Sequence, residues 1–192
     1  MEIKNKSGKT LLILPGVERV RSVNPEYTTG RVSLDGAQLS GTFLKGADLV
    51  FASFDSANLS GADLEAADLT MSTLGTIDLS NANLKNAVLY GSFLFMANLE
   101  KANLQGANLQ GTNLNQANLK DSDLTNAELG PDNMGMETKL CGADLRGAIV
   151  SGASFKGALY DRFTILPQGF KPEDHEMEFL EGFPPSGTLH ET

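Results

Sequence analysis

The chain has 192 residues, of which 41% are hydrophobic, one cysteine and a formal net charge of −9. This length supports one substantial domain and excludes two large ones. The negative charge argues against direct nucleic-acid binding, which needs clustered Lys and Arg. The lone Cys141 excludes an intramolecular disulfide and a thiolate metal cluster.

Residues 1–30 are expected to cover one end of the repeats that follow, as an N-terminal cap. A β-hairpin is expected from Glu2 to Leu14, turning around Lys6, Ser7 and Gly8. The apolar stretch Thr10 to Leu14 is too short for a signal peptide or a membrane span. We therefore expect no membrane association and a cytoplasmic protein.

Leucine then recurs at every fifth residue from Leu34 to Leu129, and only Phe54 departs from this rule. On a helix, a step of five would scatter the leucines around the axis. On a continuous strand, it would point every second leucine into water. All the leucines can point to one common axis only if each pentapeptide also turns the chain. The pattern therefore predicts a solenoid.

Charge patterning favours four pentapeptides in each coil, because stacked neighbours should be complementary. At a spacing of 20, Lys45, Glu65 and Lys85 share one column. The same spacing places Glu100 over Lys120 and Lys101 over Asp121; a spacing of 15 removes all these pairs. Two columns carry like charges: Asp35 over Asp55, and Asp48 over Asp68. These columns either cost the fold a little stability or form an acidic surface that has a function.

The segment Tyr90 to Leu99, YGSFLFMANL, places Phe93 and Phe95 where neighbouring repeats have Asn, Asp, Gln or Lys. In the register of 20, apolar side chains gather across two adjoining faces, and a contiguous patch of this kind usually meets a partner. The alternative is that the chain covers the patch itself, through Phe95 over Gly75 or through the segment Met134 to Met136. The candidate patch consists of Val50, Phe51, Met71, Val88, Tyr90, Phe93, Phe95 and Met96.

The five-residue rhythm breaks at 130–139, where we expect an insertion with Met134 pointing inward, and resumes at Leu140. The solenoid is expected to span 31–160. Residues 161–192 are predicted to form a C-terminal cap, with a short helix from Pro172 and a frayed tail.

Candidates for catalysis are few. His175 and His190 lie in the acidic tail outside any ligand cluster, and the repeat carboxylates lack a paired acid and base. The sequence therefore predicts no enzyme, no cofactor and no metal.

The A(D/N)LxG rhythm, as in ANLEKANLQGANLQGTNLNQANLKD, resembles the pentapeptide-repeat proteins. The resemblance covers Arg31 to Tyr160. It implies an all-β fold, a right-handed quadrilateral β-helix of about six coils capped at both ends. The central Leu and the small residue two before it would point inward. The tail resembles that of cyanobacterial and plastid members, which makes the thylakoid lumen or plastid the alternative compartment if a targeting segment was removed. The pattern is interrupted at Val32, Phe43, Ile77, Val88 and Phe93.

These observations favour a non-enzymatic scaffold for protein association, with an unknown protein partner or a homodimer formed through the patch or the tail. The resemblance also implies an alternative, an acidic DNA mimic that regulates a type II topoisomerase, with DNA gyrase as the partner. The candidate acidic columns for that alternative are Asp35, Asp55, Asp48 and Asp68.

Overall fold

The computed structural model describes residues 2–4, 10–13, 19–20, 31–132 and 134–181. Strands β1 and β2 pair antiparallel, with Glu2 opposite Ile13, and β3 and β4 also pair antiparallel. The expected hairpin turn at 6–8 lies outside the described residues. Strands β5 and β6 pair in parallel. The elements are β1 (Glu2–Lys4), β2 (Thr10–Ile13), β3 (Arg19–Val20), β4 (Arg31–Val32), β5 (Leu159–Tyr160), a 3-10 helix (Pro172–His175) and β6 (Glu178–Phe179).

Between β4 and β5 the chain winds as a coil held by single parallel β-bridges. From the bridge between Ser33 and Ser53 to that between Asn108 and Glu128, each bridge joins residues 20 apart. Four pentapeptides therefore complete one coil, and the coil has four faces. We number the faces by their first central residues: face 1 from Leu34, face 2 from Leu39, face 3 from Leu44 and face 4 from Leu49.

The repeat Ala102-Asn103-Leu104-Gln105-Gly106 shows why this sequence folds as it does. Leu104 and Gly106 donate backbone hydrogen bonds to the next coil, at 2.7 and 2.9 Å, and Asn103 donates to the preceding coil at 2.9 Å. Ala102 closes the turn by donating to the carbonyl of Leu99. The remaining amide, that of Gln105, donates to Oδ1 of Asn103 at 3.1 Å. All five amides are thus satisfied, the fourth by the Asn side chain.

From Gly36 to Asn126 the last position of each repeat has a positive φ, for example +64° at Gly106 and +66° at Gly41. Glycine is the preferred residue there because it lacks a Cβ. Non-glycine residues also adopt this conformation, including Phe51, Met71 and Met96 with φ of 59°, 55° and 57°.

The core is a stack of buried leucines, with Phe54 and Phe155 in the same columns. Most of the small residues two before the leucines are also buried, and Ile77 fills one such position, whereas Ala37 and Thr42 are half-buried. Where the small residue is Ser or Thr, its hydroxyl donates to a backbone carbonyl, as Thr112 does to Leu89 at 3.0 Å. Buried polar groups are thereby paired.

The insertion lengthens one coil. Across it the bridges join residues 26 apart, as between Asn113 and Lys139, so the segment between Leu129 and Thr138 carries six additional residues. Thr138 is buried in the small-residue column. The expectation that Met134 replaces a missing inward leucine is wrong, because Met134 is 87% exposed.

After β5 the chain forms an irregular layer over the last repeats. Ile165 pairs with Asp144, and Leu166, Phe170 and Met177 pack against the buried core. The ring of Phe170 meets Phe155 edge-on at 5.2 Å. Within the described residues, no helix is long and apolar enough to cross a bilayer.

Candidate interaction surface

The candidate patch lies on faces 4 and 1 around their shared corner and extends across face 1 to Met96 at its far edge. Its most exposed members are Met96, Phe93 and Met71, at 50%, 42% and 38%. The other members, Val50, Phe51, Val88, Tyr90 and Phe95, are half-buried. We call the subset formed by Met71, Tyr90, Phe93, Phe95 and Met96 the apolar ridge.

The two phenylalanines support each other. Their rings stack with centroids 6.0 Å apart and planes inclined by 29°. Gly75 was expected to lie under Phe95, but the ring that closes over it is Phe93, with Cε1 3.5 Å from the ideal Cβ position. Part of Phe93 therefore covers backbone, and the rest remains exposed.

Glycine at the corner makes room for methionine. Sδ of Met71 lies 2.7 Å from the ideal Cβ position of Gly91, and Met136 approaches that of Gly111 to 3.1 Å. A side chain at either glycine would displace the thioether. Both glycines also have a positive φ, so this corner needs them for two reasons.

A hydrogen bond between side chains, which we call the clip, joins the insertion to the ridge, and Nε2 of Gln110 donates to the carbonyl of Pro131 at 3.4 Å beside it. The Tyr90 hydroxyl donates to Oδ2 of Asp132, while Oδ1 of Asp132 accepts from the amides of Met134 and Met136 at 2.8 and 2.7 Å. The bond raises the pKa of Tyr90 and lowers the pKa of Asp132. The insertion therefore covers the Tyr90 end of the ridge and leaves Phe93 and Met96 exposed.

Two backbone donors at the ridge lack the usual Asn or Asp acceptor. Val88 and Phe93 replace the residue whose side chain would accept from Tyr90 N–H and Phe95 N–H. Among the described residues, neither amide has a hydrogen-bond acceptor. In other repeats the amide at the corresponding position donates to an outward-facing side chain. The N–H groups of Tyr90 and Phe95 therefore point to the surface.

The acidic columns have a structural task. Oδ1 of Asp35 accepts from the amide of Asp55 at 2.9 Å, and Oδ1 of Asp55 accepts from that of Gly75 at 2.7 Å. Oδ1 of Asp68 accepts from the amide and hydroxyl of Thr70, and that of Asp48 meets the Val50 amide at 3.4 Å. These carboxylates accept backbone amides, as the Asn side chains of other repeats do. This structural function accounts for the columns of like charge.

Charge differs between the two sides of the coil. Between residues 33 and 142, faces 4 and 1 with the insertion carry seven carboxylates and one basic residue, Lys139. Faces 2 and 3 carry six carboxylates and four lysines over the same span. The carboxylates beside the ridge are Asp35, Asp48, Asp55, Asp68, Glu128, Asp132 and Glu137.

On faces 2 and 3, three of the four lysines make ion pairs, and no ion pair of Lys85 is found within the described residues. Lys45 pairs with Glu65 at 2.7 Å, as the register of 20 predicted. Two expected pairs differ: Lys101 contacts Glu100 in its own coil, and Lys120 contacts Asp144 across the insertion register. Asp144 also accepts from Arg146, and the guanidinium lowers the pKa of Asp144 to about 2.

Reactive chemistry is sparse in the described part of the chain. No three His, Cys, Asp or Glu residues there converge as metal ligands. Cys141 is half-buried, and burial with nearby Asp161 raises the pKa of its thiol. His175 stacks on Phe170 at 4.1 Å and borders a shallow groove of about 500 Å³.

The sequence missed one feature of this surface. The sequence analysis placed the segment Met134 to Met136 over the apolar patch, or Met134 in the core. Because the length of the insertion cannot be read from periodicity, the position of Met134 on the surface could not be found. Proline at 131 was the available signal for a loop.

Comparisons with known proteins bear on the repeats. A family model for pentapeptide repeats matches eight copies, at residues 33–70, 75–104 and 97–130. No curated protein matches the chain.

The solved structures that are similar to this chain include two pentapeptide repeat proteins and a resistance protein. HetL, a pentapeptide repeat protein involved in heterocyst differentiation regulation from the cyanobacterium Nostoc sp. strain PCC 7120, is 37% identical over 68% of this chain, with a TM-score of 0.36. This chain spans 57% of the length of HetL. Rfr23 from the cyanobacterium Cyanothece 51142 is 28% identical over 70% of this chain and 90% of its own, with a TM-score of 0.45. A trypsin-treated form of QnrB1, a plasmid-mediated fluoroquinolone resistance protein, is 19% identical over 78% of each chain, with a TM-score of 0.30.

Proposed function

Because this chain belongs to the pentapeptide-repeat proteins, we propose that it is a non-enzymatic scaffold whose rigid surface binds another protein. Its repeat tract is a right-handed β-helix, and members of this family are generally non-enzymatic repeat proteins. The observation that supports a binding role is the exposed apolar ridge. Phe93 and Met96 stay exposed although the same chain buries nearly every leucine of its core.

Rigidity supports the proposal. The bridges and turn hydrogen bonds hold every repeat on both sides of the ridge. A surface that is already ordered loses little conformational freedom on binding. Aromatic residues and methionine are also the residue types enriched in protein interfaces.

Replacement of Phe93 and Phe95 by Ser tests this function. Both side chains point outward, so we expect unchanged β-type circular dichroism and loss of association with the partner, measured by affinity capture and analytical ultracentrifugation. Phe43→Ser is the matched control, because Phe43 is 79% exposed on face 3, away from the ridge. Unchanged association in the double variant would contradict the scaffold function of the ridge.

A second candidate is an acidic DNA mimic that regulates DNA gyrase. It is supported by the net charge of −9 and the excess of carboxylates on faces 4 and 1. The apolar ridge counts against it, because it separates the lower carboxylates Asp35, Asp48, Asp55 and Asp68 from the upper Glu128 and Glu137.

A supercoiling assay decides between the two. If the mimic function holds, the purified protein inhibits or protects gyrase, and Asn at positions 35, 48, 55 and 68 weakens that effect. Asn retains the oxygen that accepts the backbone amide, so the fold should tolerate these changes. Inactivity at high excess would exclude the mimic function.

The same family membership suggests an architecture for the scaffold. We propose about six coils between an N-terminal cap at 1–30 and a C-terminal cap at 161–192, because uncovered coil ends would invite end-to-end association. The packing of Leu166, Phe170 and Met177 against the core supports the second cap.

A further inference from the structure

We propose that the corner between faces 4 and 1 docks a cationic amphipathic segment of the partner, with apolar side chains in its middle and Lys or Arg at both ends. This inference rests on the proposed scaffold function and names the chemistry of what the ridge binds.

The charge pattern along the coil axis supports this choice. Asp35, Asp48 and Asp55 lie on the coils before the ridge, and Glu128 and Glu137 lie beyond it. None of these five carboxylates forms an ion pair with any residue in the described ranges. The order along the axis is therefore acidic, apolar, acidic, and a segment with the complementary order would match it.

The middle of the surface suits varied apolar side chains. Met71, Met96 and the 87% exposed Met134 are unbranched and can adapt to the shape of a ligand. The stacked rings of Phe93 and Phe95 add a rigid aromatic anchor beside them. Four of the six methionines of the chain lie on this surface or in the insertion: Met71 at this corner, Met96 at the far edge of face 1, and Met134 and Met136 in the insertion.

The unpaired amides of Tyr90 and Phe95 strengthen the fit. Two surface donors within an apolar region can bind carbonyl oxygens of a docked segment. They arise from the same substitutions, Val88 and Phe93, that make the surface apolar. Each substitution therefore adds an apolar side chain and releases one hydrogen-bond donor.

The alternative occupant, a second copy of this chain, is disfavoured by charge. A twofold contact through the ridge would bring the carboxylates of one copy against those of the other, with only Lys139 on each side as a counter-charge. Like charges directly opposed across an interface are costly.

The acidic positions also set the length of the segment. Four coil steps separate the first and fifth coils, or about 20 Å at ~4.8 Å per coil. An extended segment of about six residues spans that distance at ~3.3 Å per residue, and its carbonyl oxygens are free to accept from the two amides. The probe is therefore a labelled peptide of this length, with Leu and Phe in its centre and Lys at both ends.

The experiment measures binding of this peptide to the full chain by fluorescence anisotropy. We expect binding that weakens with salt. A peptide with Glu in place of Lys, and one with its Lys moved to the centre, should bind at least about tenfold more weakly. Equal binding of the Glu peptide would overturn the proposal.

Two protein variants with the same net charge locate the effect. Asp48→Asn with Glu128→Gln and Glu137→Gln removes three charges beside the ridge, and we expect about tenfold weaker binding of the Lys peptide. Glu65→Gln with Glu100→Gln and Asp121→Asn removes three charges from faces 2 and 3, and should change binding by less than about twofold. Equal weakening in both variants would show an effect of net charge alone and would overturn the proposal.

The Phe93→Ser, Phe95→Ser variant separates this inference from the scaffold function. One outcome is that the phenylalanine variant no longer binds the natural partner, whereas the variant that lacks charges beside the ridge binds it normally. That outcome would overturn the proposal of a cationic segment and would leave the scaffold function intact. A natural partner that displaces the Lys peptide from the wild-type chain would support both. Retention of the natural partner would remove the scaffold function itself.

Discussion

The residue that ends each pentapeptide determines how easily the chain turns. Its φ is positive in every repeat from Gly36 to Asn126, and 12 of these residues between 51 and 126 are not glycine. A left-handed conformation costs an L-residue about 1 kcal/mol. The conformation persists because the turn and the β-bridges on both sides hold it in place.

Ala66 allows a direct measurement of that cost. Ala66 has φ 55° and is exposed, so Ala66→Gly should raise the free energy of unfolding by up to about 1 kcal/mol in urea denaturation. The reverse change at Gly61, which has φ +65° and nothing within 4 Å of an added Cβ, should lower it by a similar amount. Shifts of the same sign in the two variants would contradict this explanation.

At the scale of elements, the insertion shows how a loop is held against a solenoid. One carboxylate, Asp132, accepts the Tyr90 hydroxyl and two amides of its own loop. Met136 then fills the space above Gly111. The loop is ordered by a few polar contacts with one side chain, whereas the repeats are ordered by a continuous backbone ladder.

Tyr90→Phe should loosen the insertion without affecting the coil. We expect the amides of Met134 and Met136 to exchange with deuterium roughly fivefold faster, because the clip no longer limits local opening. Tyr160→Phe, which removes a hydroxyl at β5, is the control. Unchanged exchange in Tyr90→Phe would show that the clip does not hold the loop.

The pH dependence of the clip follows from the two pKa shifts. The raised pKa of Tyr90 means that the bond is lost as pH rises through that value, above the usual tyrosine range near about 10. The lowered pKa of Asp132 means that it is lost as pH falls through that value, below the usual aspartate range near about 3.9. Loss of protection in the wild-type insertion, measured as exchange at the intrinsic rate of an unprotected amide at that pH, is therefore expected only at these extremes.

At the scale of the whole molecule, the regular geometry of the coil could be predicted from the sequence. The positions of individual long or large side chains could not. The step of five and the charge column of Lys45 and Glu65 indicated the spacing of 20 seen in the bridges. Long side chains were less predictable, because Lys101 and Lys120 can reach several carboxylates from one backbone position. Phe93 could not be placed over Gly75 from sequence, since a large ring can lean toward either neighbouring column.

The four-repeat coil restricts how this protein can change in length. Adding or deleting a whole coil preserves the side of the rod on which every later residue lies. Gain or loss of one pentapeptide would rotate everything beyond it by a quarter turn, carrying Glu128 from face 4 to face 1 or to face 3. The six extra residues before Thr138 avoid that rotation, because they leave the rod at a corner and return to the same column. Variation in length is therefore tolerated in multiples of 20 residues or as loops at corners.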